Sequence, residues 1–145
     1  ATPPEHEQRP AADEASYKVG AWLGIRPFSF SREQQDEYLK SICETDAIYA
    51  REGIIHSGTI LRACNWALTH NARMGPWIHV GSTIQHLVPG RVGDEISVRA
   101  QVTKNYENKG HKFVELDALV VANNRTPIAR VSHAAIYEPR QVKAA

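Results

Sequence analysis

The chain is 145 residues long, enough for one hydrophobic core and too short for two ordinary domains. Hydrophobic residues make up 42% and charged residues 23%, and a formal net charge of +1 is spread along the chain, which argues against a disordered tail-like protein and against a basic footprint for nucleic acid or a membrane surface. No apolar run approaches the roughly 20 residues that cross a bilayer, and the first residues lack the apolar centre of a signal peptide, so a soluble, cytoplasmic protein is expected.

Residues 1–16 are rich in Pro, Glu and Ala and nearly free of large apolar side chains, which predicts a flexible extension ahead of a domain over 17–140, with a short tail at 141–145. Residues 17–30 hold β-formers, two glycines and Pro27, the marks of an edge strand or extended arm. Ser31 followed by Gln34 has the spacing of a capping box, and Tyr38, Leu39, Ile42 and Cys43 recur on one face of the helix that follows, which should end near Glu44. Residues 45–56 read as a loop. Ser57 is the expected N-cap of a second helix running to about Arg73, with Gly75 as its stop. Its stripe of Ile60, Leu61, Cys64, Ala67 and Leu68, with Ala63 beside it, is broad and small enough for close approach by other backbone, so this helix should be mostly buried. Both cysteines, Cys43 and Cys64, are expected to be reduced core residues.

After Gly75 the pattern changes from helical to alternating. Strands are predicted over 77–88, 95–103, 111–122 and 126–137, separated by turns at Pro89-Gly90, Asn108-Lys109-Gly110 and Asn123-Asn124. Helices followed by a run of strands mean an α+β domain. An antiparallel sheet with one apolar face must cover that face, and the helix beginning at Ser57 is the only candidate. The expected architecture is a curled antiparallel sheet wrapped around one long helix.

Two strings carry a family resemblance. Gly53-Ile54-Ile55-His56-Ser57-Gly58 leads into the buried helix, and Leu87-Val88-Pro89-Gly90-Arg91-Val92-Gly93-Asp94-Glu95-Ile96 lies between the first two sheet strands. In this order, over about residues 28–138, the chain resembles the MaoC-like family of hotdog-fold acyl-CoA hydratases and dehydratases. The resemblance implies an acyl-thioester substrate, no cofactor, and a homodimer or dimer of dimers with the acyl tunnel between subunits. The family's catalytic phrase is an Asp, then Asn-Pro, then a His. Asp46 matches the Asp; the Asn-Pro pair is absent, and Tyr49 falls near the His.

Hydration of an enoyl thioester needs a group to activate water, a group to exchange a proton with carbon, and donors for the charge on the thioester oxygen. Asp46 is the candidate base, against the alternative of a solvated loop carboxylate. His56 is the candidate partner, and the Gly58 amide at a helix start is the candidate oxyanion donor. Tyr49, Ser57, Asn65 and Ser82 are candidate substrate contacts. Trp22, Trp66 and Trp77 read as core or interface. His79, Ser82 and His86 share one strand, but His79 is expected on the opposite face, so no metal site is expected. The alternatives are a hotdog thioesterase, disfavoured because the central helix offers Asn65 where a carboxylate is wanted, and a non-catalytic acyl-binding domain. An exposed sheet edge also favours pairing with a second copy.

Overall fold

The computed structural model describes residues 2–140; the tail expected over 141–145 lies outside the described residues. Its elements are a 3-10 turn at His6–Gln8, then β1 (Trp22–Gly24), β2 (Phe28–Ser29), α1 (Arg32–Ser41), α2 (Ile48–Glu52), α3 (Ser57–Thr69), β3 (Ile78–His86), β4 (Glu95–Asn108), β5 (His111–Ala122) and β6 (Thr126–Glu138). The strands form one antiparallel sheet in the order β1-β4-β5-β6-β3, with β2 also on β4. No helix among the described residues is long and apolar enough to cross a membrane.

The alternation in β4, β5 and β6 is what makes the core. Ile96, Val98, Ala100 and Val102 are buried on β4, as are Val114, Leu116, Ala118 and Val120 on β5 and Ile128, Val131 and Ala135 on β6. Register is pinned by two tight turns whose residues take positive φ: Lys109 and Gly110 between β4 and β5, and Asn123 and Asn124 between β5 and β6. Against this face lies α3, burying Thr59, Ile60, Ala63, Cys64, Ala67 and Leu68. The α+β architecture read from the sequence, a curled sheet around a central helix, is the one observed.

Five local expectations are corrected. The loop over 45–56 contains a short helix, α2. The N-cap of α3 is His56, one residue before Ser57. That helix ends at Thr69, well before Gly75, because side chains take its last carbonyls: Tyr17 Oη donates to Leu68 O (2.9 Å), Asn71 Nδ2 to Ala67 O (2.8 Å) and Arg9 Nη1 to Thr69 O (3.1 Å). Cys43 is exposed, lying past the end of α1 in a left-handed conformation, whereas Cys64 is fully buried and its thiol is pushed up to about 12 by burial. Residues 9–16, expected as part of a flexible lead, run beside the end of α3. Arg73 N–H donates to Pro10 O (2.7 Å) and Ala12 N–H to Arg73 O (2.9 Å). Polar backbone bonds hold this stretch, so hydrophobicity gave no sign of it.

Candidate active site

The amino end of α3 is built from three neighbours. His56 has extended backbone and its Nδ1 accepts the Gly58 N–H at 2.9 Å, so a histidine performs the capping usually given to Ser or Asp. With Nδ1 accepting, the ring proton of the neutral imidazole sits on Nε2. Ser57, freed from capping, places Oγ 3.2 Å from His86 Nε2 at the end of β3. Gly58 lies under Tyr38 of α1: a β-carbon there would overlap the Tyr38 hydroxyl and stand 3.1 Å from Cζ. The Tyr38 ring is itself held edge-on to Phe30 and His56, with the Arg62 guanidinium 5.7 Å from its centroid. His56→Ala should lower unfolding free energy by about 1 kcal/mol, the usual value of a lost N-cap, as read from urea titration.

Beside this end lies a cavity of about 300 Å³. Ile48, Ile54, Ile55, Ile60, Leu87 and Val88 give it apolar walls, and Tyr49, Ser57 and His86 supply its polar groups. The two strings singled out in the sequence form its frame. Ile55 N–H donates to Gly90 O and Val92 N–H to Gly53 O, each at 2.7 Å, so segments 53–55 and 90–92 are zipped together. Gly90 packs closely on the core: a β-carbon there would stand 2.7 Å from Ile128 Cδ1, the end of a side chain that would have to shift to admit it.

The candidate residues divide between two places. Tyr49 and Ser57 line the cavity, and His56 packs against Tyr49 with ring centroids 4.9 Å apart. Asp46 is exposed and outside the cavity wall; its Oδ1 accepts the Ile48 N–H at 3.0 Å and starts α2. The Gly58 N–H is already bonded to His56. Asn65 and Ser82 belong to a separate polar chain between α3 and the sheet. His133 Nε2 lies 2.8 Å from Asn65 Oδ1, His133 Nδ1 lies 2.6 Å from Ser82 Oγ, and Ser82 Oγ lies 2.8 Å from His79 Nε2. The pairing of β3 with β6 skips Val80, so this bulge brings His79 to the same side as Ser82, correcting the opposite-face expectation. His79 stacks on His133 at 4.5 Å. His133 is 1% exposed, and burial, helped by His79, lowers its pKa to about 4. Among the described residues no group of three or more His, Cys, Asp or Glu is placed to hold a metal.

Sequence reasoning missed Tyr38 and His133 and gave His86 no role. Helical spacing had placed Tyr38 on one face of α1 with Leu39, but did not say what it packs on. His133 had a legible signal: it is the polar residue at an inward position of β6, between Val131 and Ala135.

No family model matches the chain, and no curated protein matches it in sequence. Solved structures do match in three dimensions. The chain superposes on the (R)-hydratase from A. caviae involved in PHA biosynthesis with a TM-score of 0.68 at 14% identity, covering 82% of this chain and 96% of that one. The monoamine oxidase regulatory protein from Archaeoglobus fulgius gives 0.70 at 13% identity, over 90% and 97% of the two chains. The MaoC-like dehydratase from Rhodospirillum rubrum gives 0.62 at 14% identity, over 85% and 94%. Since these likenesses extend over nearly the whole of each solved chain and rest on the same antiparallel sheet and helices, the chain has the hotdog fold that MaoC-like dehydratases and (R)-hydratases share.

Proposed function

We propose that the chain is an acyl-thioester hydratase or dehydratase of the MaoC-like family, acting on an enoyl-CoA-type substrate as a homodimer or dimer of dimers. The observation that carries this reading is the apolar cavity at the amino end of α3 with the Ser57–His86 pair in its wall. An acyl chain suits the isoleucine and valine lining. The helix start favours the negative charge that grows on a thioester oxygen. The Gly58 N–H is engaged, whereas the Ser57 N–H forms no bond among the described residues, so the donor role passes to Ser57.

In hydration, water oxygen bonds to Cβ while a proton is delivered to Cα, and the C=C π pair becomes the new C–H bond. His86, hydrogen-bonded to Ser57, takes the proton from water, and the pair returns a proton to Cα. Dehydration is the reverse. Water is the only second reactant, so no cofactor is invoked. The resemblance favours Asp46 with His56 for the same proton steps; the wall geometry favours His86, because Asp46 stands outside the cavity.

Turnover of crotonyl-CoA and a longer enoyl-CoA tests the reading. His86→Ala should lower kcat by about a hundredfold or more, the usual size of a lost acid/base group. Full turnover by His86→Ala with loss in Asp46→Asn would return the proton steps to Asp46. Release of free thiol without hydration would identify a thioesterase. Thermal stabilisation by acyl-CoA with no turnover would identify an acyl-binding domain.

A further inference from the structure

The short helix α2 supplies Ile48 and Tyr49 to the cavity wall, yet it buries none of its own residues. A helix this short has little stability of its own, and without a buried face it gains little from apolar packing. Its last carbonyls have no partner inside the helix. Side chains from two other segments take them. Arg32, at the start of α1, donates from Nη1 to Ala50 O at 2.7 Å. Arg91, in the turn between β3 and β4, donates from Nη1 to Glu52 O at 2.6 Å. A third bond continues the row: Gln35, 2% exposed, donates from Nε2 to Ile54 O at 2.7 Å.

A cation is well placed at the carboxyl end of a helix, where the free carbonyls carry partial negative charge. Neither Arg32 nor Arg91 forms an ion pair among the described residues, so these carbonyls are not competing with a carboxylate for them. Asp94 fixes the turn that carries Arg91: its carboxylate accepts the Arg91 N–H and the Asn123 side-chain amide, each at 3.0 Å. At the other end of α2 the exposed Asp46 holds the Ile48 N–H. Between the two ends, Tyr49 rests on the His56 ring.

We infer that Arg32 and Arg91 are positioning residues: they latch the carboxyl end of α2 and through it hold Ile48 and Tyr49 closed over the acyl chain. The inference deepens the thioester reading above and rests on it for its ligand. Substrate that touches Ile48 and Tyr49 closes α2 at saturation even with a latch missing. A lost latch therefore lowers the fraction of chains ready to bind, which raises KM and spares kcat.

The test joins amide hydrogen exchange of the full chain, followed by mass spectrometry, to steady-state kinetics. Arg32→Met and Arg91→Met should each speed exchange in α2 by at least about tenfold and leave β4 and β5 unchanged. Each should raise the KM for crotonyl-CoA by about tenfold with kcat within about twofold of the native value. Butyryl-CoA, which has no double bond to hydrate, should bind more weakly by the same factor. Arg32→Lys and Arg91→Lys, which keep a charged donor, should recover most of these effects. Arg51→Met removes a cation of α2 that pairs with Glu52 and latches nothing, so exchange and KM should stay as in the native chain. Unchanged exchange in α2, equally faster exchange in β4 and β5, or a fall in kcat at constant KM overturns the latch. A KM that rises as much in Arg51→Met assigns the effect to charge near the CoA phosphates and overturns it too. A native chain that hydrates nothing counts against the enoyl chemistry alone, and exchange with the butyryl-CoA dissociation constant then decides the latch.

Discussion

Lowering the pH from 7 to 4 should cost the fold about 3 kcal/mol through His133 alone. Burial, with a smaller contribution from His79, holds the native His133 pKa at about 4. An unfolded chain returns the imidazole to about 6.5. Below that value the unfolded state binds a proton that the native state refuses, so stability falls as the pH drops through 6.5 and levels off only near 4. The sign is opposite to that of a histidine paired with a carboxylate. The ring faces Asn65 and Ser82, both neutral, so nothing rewards a charge there. Urea titrations at pH 7, 5.5 and 4 on the native chain and on His133→Gln check this. The variant should be weaker at pH 7, having lost a fitted ring, yet its stability should fall less with acid. Carboxylates contribute equally to both chains, so the difference between the two slopes isolates the histidine. Parallel slopes would mean that His133 is solvated in the native state.

The parts of this architecture that were legible in the sequence are those set by period and turn chemistry. Alternation in β4 and β5, two positive-φ turns, and a helix with small residues on its buried face left one arrangement able to cover the sheet. The site was less legible because its geometry depends on contacts between distant segments. Nothing in the order His56-Ser57-Gly58 says which residue caps, yet the answer decides whether the Ser57 hydroxyl is free to meet His86. The facing of His79 was misread for a similar reason. A single bulged residue, Val80, reverses the parity of the strand, and hydrophobic alternation does not reveal an extra residue on a strand whose side chains are mostly exposed. Asp46 was chosen by resemblance, but its surroundings come from a five-residue helix too short to leave a periodic signal.

Gly58→Ala should destabilise the chain by about 1–3 kcal/mol, and Tyr38→Phe should recover more than half of that loss. Two accounts of this glycine make opposite forecasts. If its bareness serves a substrate carbonyl, a methyl group leaves stability intact and damages turnover alone. If it serves Tyr38, the methyl collides with a phenol that Phe30, His56 and Arg62 prevent from swinging freely away. Alanine is the better helix former by up to about 1 kcal/mol, so a purely local effect would have the other sign. The Tyr38 hydroxyl makes no hydrogen bond among the described residues, which makes Tyr38→Phe nearly neutral by itself and a clean partner for a double-mutant cycle. A coupling of at least about 1 kcal/mol between the two positions places the phenol over the helix start as a fixed wall of the site. Substrate would then reach the Ser57 N–H from the cavity side, past Tyr49 and His86, and not across Gly58. Additive effects, with turnover lost in Gly58→Ala alone, would return the open face of the helix to the thioester.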